Sequence, residues 1–231
     1  MNTACSKGSK ESGPRVLVAV LVLGSLWGLS EVLLNDAIRS AGLPWRAGIL
    51  FGVGMLLMGI ALGFLRKPIA LPGIALVAIL MKQMVVPVLG VSVLCKANSC
   101  IAVMLQATVV GGLAGLAGRR LSASRRIRAG VGGITGLLSA VPFYFIGLRV
   151  APCPYLLSFG RPGGFAAFLA SEGLVWAVFG AILFPLGHRL GERLGSPQGA
   201  PWARRPLLYY GTSAVLALFC WILAGFAMVS G

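Results

Sequence analysis

The chain has 231 residues, 58% of them hydrophobic and 11% charged, with a mean hydropathy of +0.92. A water-soluble domain carries roughly 25% charged residues, so the composition excludes a soluble globular protein and makes lipid the solvent. The basic excess, Lys+Arg 20 against Asp+Glu 5, lies between apolar runs. It therefore reads as topology and contact with membrane lipid headgroups, and no nucleic acid partner is expected.

Residues 1–14, MNTACSKGSKESGP, form a polar tail. The apolar run that follows is about twenty residues long, too long for a signal-peptide core, and is expected to remain as a span. Cys5 fits no lipidation pattern. Seven apolar runs follow in order, at about 16–35, 46–65, 71–93, 101–118, 129–149, 165–187 and 206–228. A helix rising 1.5 Å per residue needs roughly twenty residues to cross about 30 Å, and each run is near that length. The expected fold is an all-α polytopic membrane helix bundle. It divides into a cytoplasmic tail at 1–14, a six-helix core at 15–190, and a loop with a seventh C-terminal transmembrane helix at 191–231.

The first run contains GSLWGLSEVLLND. Trp27 and Glu31 are four apart, on one helix face with Gly24 and Gly28. Gly24/Gly28, Gly59/Gly63 and Gly111/Gly115 repeat the same spacing. Such pairs let helix backbones approach, either inside the bundle or at a docking face for another subunit. The third run carries Lys82 and Gln83 at its centre. A lysine at mid-membrane is costly and needs a partner, which the sequence leaves open between Glu31, Glu172 and neither. A polar hairpin follows, Cys95-Lys96-Ala97-Asn98-Ser99-Cys100, and Gln106 lies a turn or two into the next run. Cys95 and Cys100 suit a disulfide on an outer loop. A thiol redox pair or a soft-metal site is the sharper reading, although the spacing lacks C-x-x-C.

Tyr144 lies in the fifth run, whose outer end is interrupted by Pro142. The connection RVAPCPYLLSFGRPGG, at 149–164, has turn residues that suit a cap over a cavity as well as a plain link. In the sixth run, SEGLVWAVFG mirrors the first: Glu172 and Trp176 are again four apart. The inner connection 188–205 holds glycines and prolines that argue against a stable helix along its whole length. His188, at its start, is expected to meet headgroups or a helix dipole.

With the N-terminus inside, the inner segments hold Lys7, Lys10, Arg15, Arg66, Lys67, Arg119, Arg120, Arg125, Arg126, Arg128, Arg189, Arg193, Arg204 and Arg205. The outer segments hold Arg39, Arg46, Lys96, Arg149 and Arg161. The positive-inside rule then makes the N-terminus cytoplasmic. Glu31 and Glu172 fall in the outer half, each with a tryptophan one turn deeper. Lys82, Gln83, Gln106 and Tyr144 lie at the same level or at mid-depth, while the inner halves look nearly bare of polar side chains. Buried polar groups in lipid must satisfy each other or a ligand. The set predicts either an outward-facing substrate pocket or a structural Glu–Lys lock. No nucleotide loop, G-x-S-x-G or H-E-x-x-H is present, so neither catalysis nor a cofactor is expected.

The stretch Gly24-Ser25-Leu26-Trp27-Gly28-Leu29-Ser30-Glu31, the Lys82 helix and the small-residue faces resemble the substrate-binding S components of energy-coupling factor transporters. The resemblance covers roughly residues 15–190, and the seventh helix departs from that family's usual six. It implies a bacterial cytoplasmic membrane protein. Such a protein binds a vitamin-like molecule or metal-related nutrient and docks on a transmembrane coupling protein driven by cytoplasmic ATPases. On this resemblance Glu31 and Glu172 orient a cationic or amine-bearing substrate or share a proton with Lys82. Trp27, Trp176 and Tyr144 stack on it, and Gln83, Gln106 and Asn98 hydrogen-bond it. The glycine faces meet the coupling subunit. The competing readings are a self-contained secondary transporter with an ion-coupling site at the glutamates, a membrane thiol oxidoreductase cycling Cys95 and Cys100, and a structural scaffold.

Overall fold

The computed structural model describes residues 12–43, 45–84, 86–87, 90, 93–196 and 205–230. The polar tail falls almost entirely outside them. All regular structure among the described residues is helical. Seven helices organise it: α1 Ser12–Ser40, α2 Arg46–Leu65, α3 Leu71–Gln83, α4 Ala97–Ala117, α5 Arg125–Val150, α6 Gly164–Gly195 and α7 Pro206–Ser230. Six of them, all but α3, are long and apolar enough to cross a membrane. The chain is an integral, multi-pass membrane protein.

α1 is 29 residues long, about 43 Å at 1.5 Å per residue, and overruns a bilayer core of about 30 Å. Gly42 ends it at φ +61°. The Leu43 amide reaches back to the Ile38 carbonyl and the Gly42 amide to that of Arg39, which satisfies carbonyls that the helix end leaves open.

α3 departs from the sequence expectation. The predicted run 71–93 stops being this helix at Gln83. Met84 forms a turn there, its amide reaching back to the Met81 carbonyl. Lys82 is therefore in the last turn of α3 and not at the middle of a span. There the carbonyl end of the helix favours a cation.

Other boundaries also shift. The expected hairpin 95–100 is helical, a short turn at Val93–Lys96 leading directly into α4. Asn98, Ser99 and Cys100 thus belong to the first turn of α4. α5 runs unbroken through Pro142. α6 continues to Gly195, so the first part of the connection 188–205 is helical, and residues 197–204 lie outside the described ones. Gly191 and Gly195 pack there on Ile60, Gly63 and Phe64 of α2, so tertiary packing outweighs their low helix propensity. The start of α6 contains a π-helical turn, Leu169–Gly173.

Neighbour relations arrange six helices as a ring in the order α1, α3, α4, α5, α6, α2 and back to α1, with α7 outside against α1. The seam between α2 and α6 is the closest. Gly48 and Gly52 of α2 meet Val175 and Phe179, Gly59 meets the Phe184 carbonyl, and Gly63 meets backbone at His188 and Glu192. From the other side, Gly187 and Gly191 sit on the Leu56 and Ile60 carbonyls. Gly24 and Gly28 of α1 similarly receive Val77 and Met81 of α3. Four of the six predicted docking glycines, Gly24, Gly28, Gly59 and Gly63, are thus buried within this chain. Gly111 lies beside the Pro68 carbonyl, and Gly115 faces open space. Trp27, Met55, Met58, Leu71, Ile74 and Phe184 fill the centre of the ring.

α7 runs in the same direction as α1. Tyr209 donates to the Arg15 carbonyl and Trp221 Nε1 to Ser25 Oγ at 2.9 Å, while Cys220 and Ala224 pack on Met81.

Candidate functional site

The end of the bundle that holds Glu31 also collects the start of α2, the end of α3, the start of α4, the end of α5 and the start of α6. A cavity of about 1080 Å³ opens there. All seven helices contribute to its lining, from Glu31 and Asp36 on α1 to Met228 on α7.

Lys82 resolves its open partnership with Glu31. Its Nζ donates to Glu31 Oε2 at 2.7 Å and to Ser99 Oγ, and both ion-pair partners are well buried. The shift of Lys82 to a helix end makes this possible, because the start of α4 can then meet it from the other side. Gln83 lies beside it but outside the cavity lining; its amide donates to Cys100 Sγ at 3.3 Å. Gln106 lines the cavity and donates to the Phe51 carbonyl at 2.8 Å, holding α4 to α2. Trp27 is fully buried beside Gly54 and does not line the cavity.

Trp176 does line it. Its ring stacks on Phe51 with centroids 5.0 Å apart and meets Phe143 at 5.4 Å, forming an apolar wall. Its Nε1–H has no hydrogen-bond partner. Asn98 also lines the cavity and donates to Cys153 Sγ at 3.0 Å, while its Oδ1 is unpartnered.

The connection between α5 and α6 folds inward. Leu156 on the short turn Pro154–Leu157 is fully buried. Tyr144, expected at the pocket, instead donates to the Phe159 carbonyl at 2.9 Å and fastens this segment. Cys153 and Tyr155 reach the cavity wall. Glu172 lies close enough to Tyr155 to act on its phenol electrostatically, and its Oε2 has no hydrogen-bond partner. Burial, and next Glu172, push the Tyr155 phenol above its ordinary pKa. The two mirrored glutamates therefore differ: Glu31 is on the cavity lining, and Glu172 is off it, near Tyr155.

Sequence reasoning missed Asp36, Arg39, Arg46, Lys96 and Ser99, all on the lining. The cations had been counted only as topology, although their position next to polar helix ends was visible. It also missed a second polar cluster at the other end. Arg128 is buried and donates to the Leu121 and Ser122 carbonyls, with Nη1 3.8 Å from Glu192 Oε2. His188 is buried against Phe184, its Nδ1 3.6 Å from the same oxygen. The half expected to be bare thus holds an Arg–Glu–His group, and His188 does not meet headgroups.

Cys100, Cys153 and Cys220 are free thiols. The side chain of Cys95, and with it the proposed Cys95–Cys100 bond, lies outside the described residues. Among the described residues no three His, Cys, Asp or Glu side chains gather as a metal site. Comparison with family models, curated proteins and solved structures finds no match for the chain.

Proposed function

We propose that this chain is the solute-binding membrane component of an uptake system, of the kind the sequence resembles in energy-coupling factor S components. The observation that carries the reading is the cavity of about 1080 Å³ to which all seven helices contribute, with a buried Glu31–Lys82 pair on its wall. It accommodates a small nutrient, vitamin-like or a metal complex. Arg66, Lys67, Arg119, Arg120, Arg189 and Arg193 lie at the opposite end from the cavity. By the positive-inside rule this supports an outward-facing cavity and a cytoplasmic N-terminus, and the resemblance supports a bacterial membrane. With no nucleotide-binding loop in the sequence, energy comes from a transmembrane coupling protein and its cytoplasmic ATPases. Their docking surface is expected on α4, where Gly112 and Gly115 face open space beside exposed Leu116.

The test is purification of the tagged chain from native membranes in mild detergent, with mass spectrometry of both proteins and small molecules. Co-purification of a coupling protein with ATPases, and a bound solute lost in Glu31→Ala, is the expected result. A lone protein without solute sinks the proposal.

A second reading, a self-contained secondary transporter, is favoured by Glu172. Its Oε2 is buried without a partner, on a π-turn, a feature frequent at functional sites. Solute uptake by the purified chain alone in proteoliposomes, driven by an imposed ion gradient, would select this reading.

A further inference from the structure

The charge of the cavity bears on the class of its occupant, a step that rests on reading the cavity as a solute site. Glu31 is the acid that sequence reasoning assigned to a cationic substrate. It is already engaged: Lys82 holds it at 2.7 Å, and the two charges offset one another. The remaining charges on the lining are Asp36 against Arg39, Arg46 and Lys96. None of those three cations forms an ion pair among the described residues.

Hydrogen-bonding capacity is balanced, since the lining leaves one acceptor, Asn98 Oδ1, and one donor, Trp176 Nε1–H, without partners, so the excess of cations decides the class. An ammonium has three donors and an indole N–H can only donate. Lys82 spends two donors on Glu31 and Ser99, and the Trp176 Nε1–H has no partner. A cleft with an excess of one sign of charge beside low-dielectric walls focuses its field on an entering ion. Phe51, Phe143 and Trp176 supply such a wall.

We infer that the cavity takes an organic anion, a carboxylate or phosphate carried on an apolar, ring-sized body, and disfavours an amine. The anionic group meets Arg39, Arg46 and Lys96 towards the mouth, and the body lies along the Phe51–Trp176 wall.

Cys153 supplies the probe, since its free thiol belongs to the same lining. The full chain in nanodiscs of neutral phosphatidylcholine is treated at low ionic strength with two methanethiosulfonates of similar size. One carries a sulfonate and the other a trimethylammonium. Labelling of Cys153 is followed by peptide mass spectrometry, each rate divided by that for 2-mercaptoethanol. The sulfonate reagent is expected to react faster on the order of tenfold. The preference should shrink in the Arg46→Gln/Lys96→Gln double variant and in high salt. Benzoate should slow labelling by the neutral methyl reagent, and benzylamine should not.

Equal normalised rates, a faster trimethylammonium reagent, or protection by benzylamine instead of benzoate overturn the anion inference while leaving a water-open cavity. If neither charged reagent reaches Cys153, the cavity is closed to solutes and the binding reading falls with it.

Discussion

The two ends of the bundle each hold a buried acid–base group, yet they are built differently. At the cavity end Glu31 and Lys82 meet at 2.7 Å, and both side chains are only 7% exposed. At the other end Arg128 and His188 flank Glu192 at 3.8 and 3.6 Å, and Glu192 is 31% exposed. The first pair stands on the wall of an open cavity. The second lies beside the glycine seam of α2 and α6, where backbones touch and leave no room. Arg128 is held mainly by the carbonyls of Leu121 and Ser122. Tight pairing thus accompanies the end that opens on the cavity, and looser pairing the end where α2 and α6 are fastened together.

The sharpest way to break this comparison is to remove one partner of the tight pair. Lys82→Met leaves Glu31 buried without its cation, which costs about 3–5 kcal/mol when a buried pair is broken from one side. Replacing both, Glu31→Gln with Lys82→Met, should recover much of that loss, because no charge is then stranded. Thermal unfolding in detergent of the two single variants and the double variant measures it. Equal losses in Lys82→Met and the double variant would show that the pair is not coupled.

The seam comes next. Gly59→Leu drives a side chain into the Phe184 carbonyl and the His188 amide. An overpacked contact of this kind costs about 1–3 kcal/mol. The loss should appear in the melting temperature, whereas Gly115→Leu, facing open space, should leave the melting temperature within error. Equal effects from the two substitutions would contradict the packing assigned to α2 and α6.

At the fastening end, Arg128→Met removes two hydrogen bonds to carbonyls and one long ion pair. At about 1 kcal/mol for a hydrogen bond and less for a partly exposed pair, its loss should fall below that of Lys82→Met. The labelling rate of Cys153 should be unaffected. A change at Cys153 equal to that in the Arg46→Gln/Lys96→Gln variant would mean that the two ends are not separate.

Much of the fold was legible because lipid imposes a simple code: long apolar runs must be helices, and their number and order could be read directly. The code fails where a helix end is decided by something local. Lys82 sat inside an apolar run, but α3 ends at Gln83 before that run does, and Ser99 at the start of α4 meets the lysine there. Gly191 and Gly195 read as breakers, yet they continue α6 because α2 needs small residues there. Of the candidate site, Glu31, Lys82, Gln106 and Trp176 were found as polar or aromatic residues stranded in apolar surroundings, and Asn98 within the polar stretch 95–100. Arg39, Arg46 and Lys96 were not, since a cation at a helix end carries the same sequence signal whether it faces headgroups or a cavity. Arg128 and His188 were misplaced because they lie beside exposed arginines, and burial of one member of such a row depends on the neighbouring helix.

Tyr155 and Glu172 give the smallest expected effect and the only one with a pH signature at the cavity end. In the folded protein the phenol keeps its proton to higher pH than an ordinary tyrosine, which titrates near about 10. Above that pH the unfolded chain has lost a proton that the folded one retains. The unfolded state then binds fewer protons, and stability falls as pH rises. Below it both states are protonated, and the contribution is fully present. The melting temperature should therefore carry a downward slope above about pH 10 that is weaker in Tyr155→Phe, with little change at neutral pH. An unchanged slope in Tyr155→Phe would detach Glu172 from Tyr155 on the cavity wall. Only Glu31, of the two mirrored glutamates, would then bear on it.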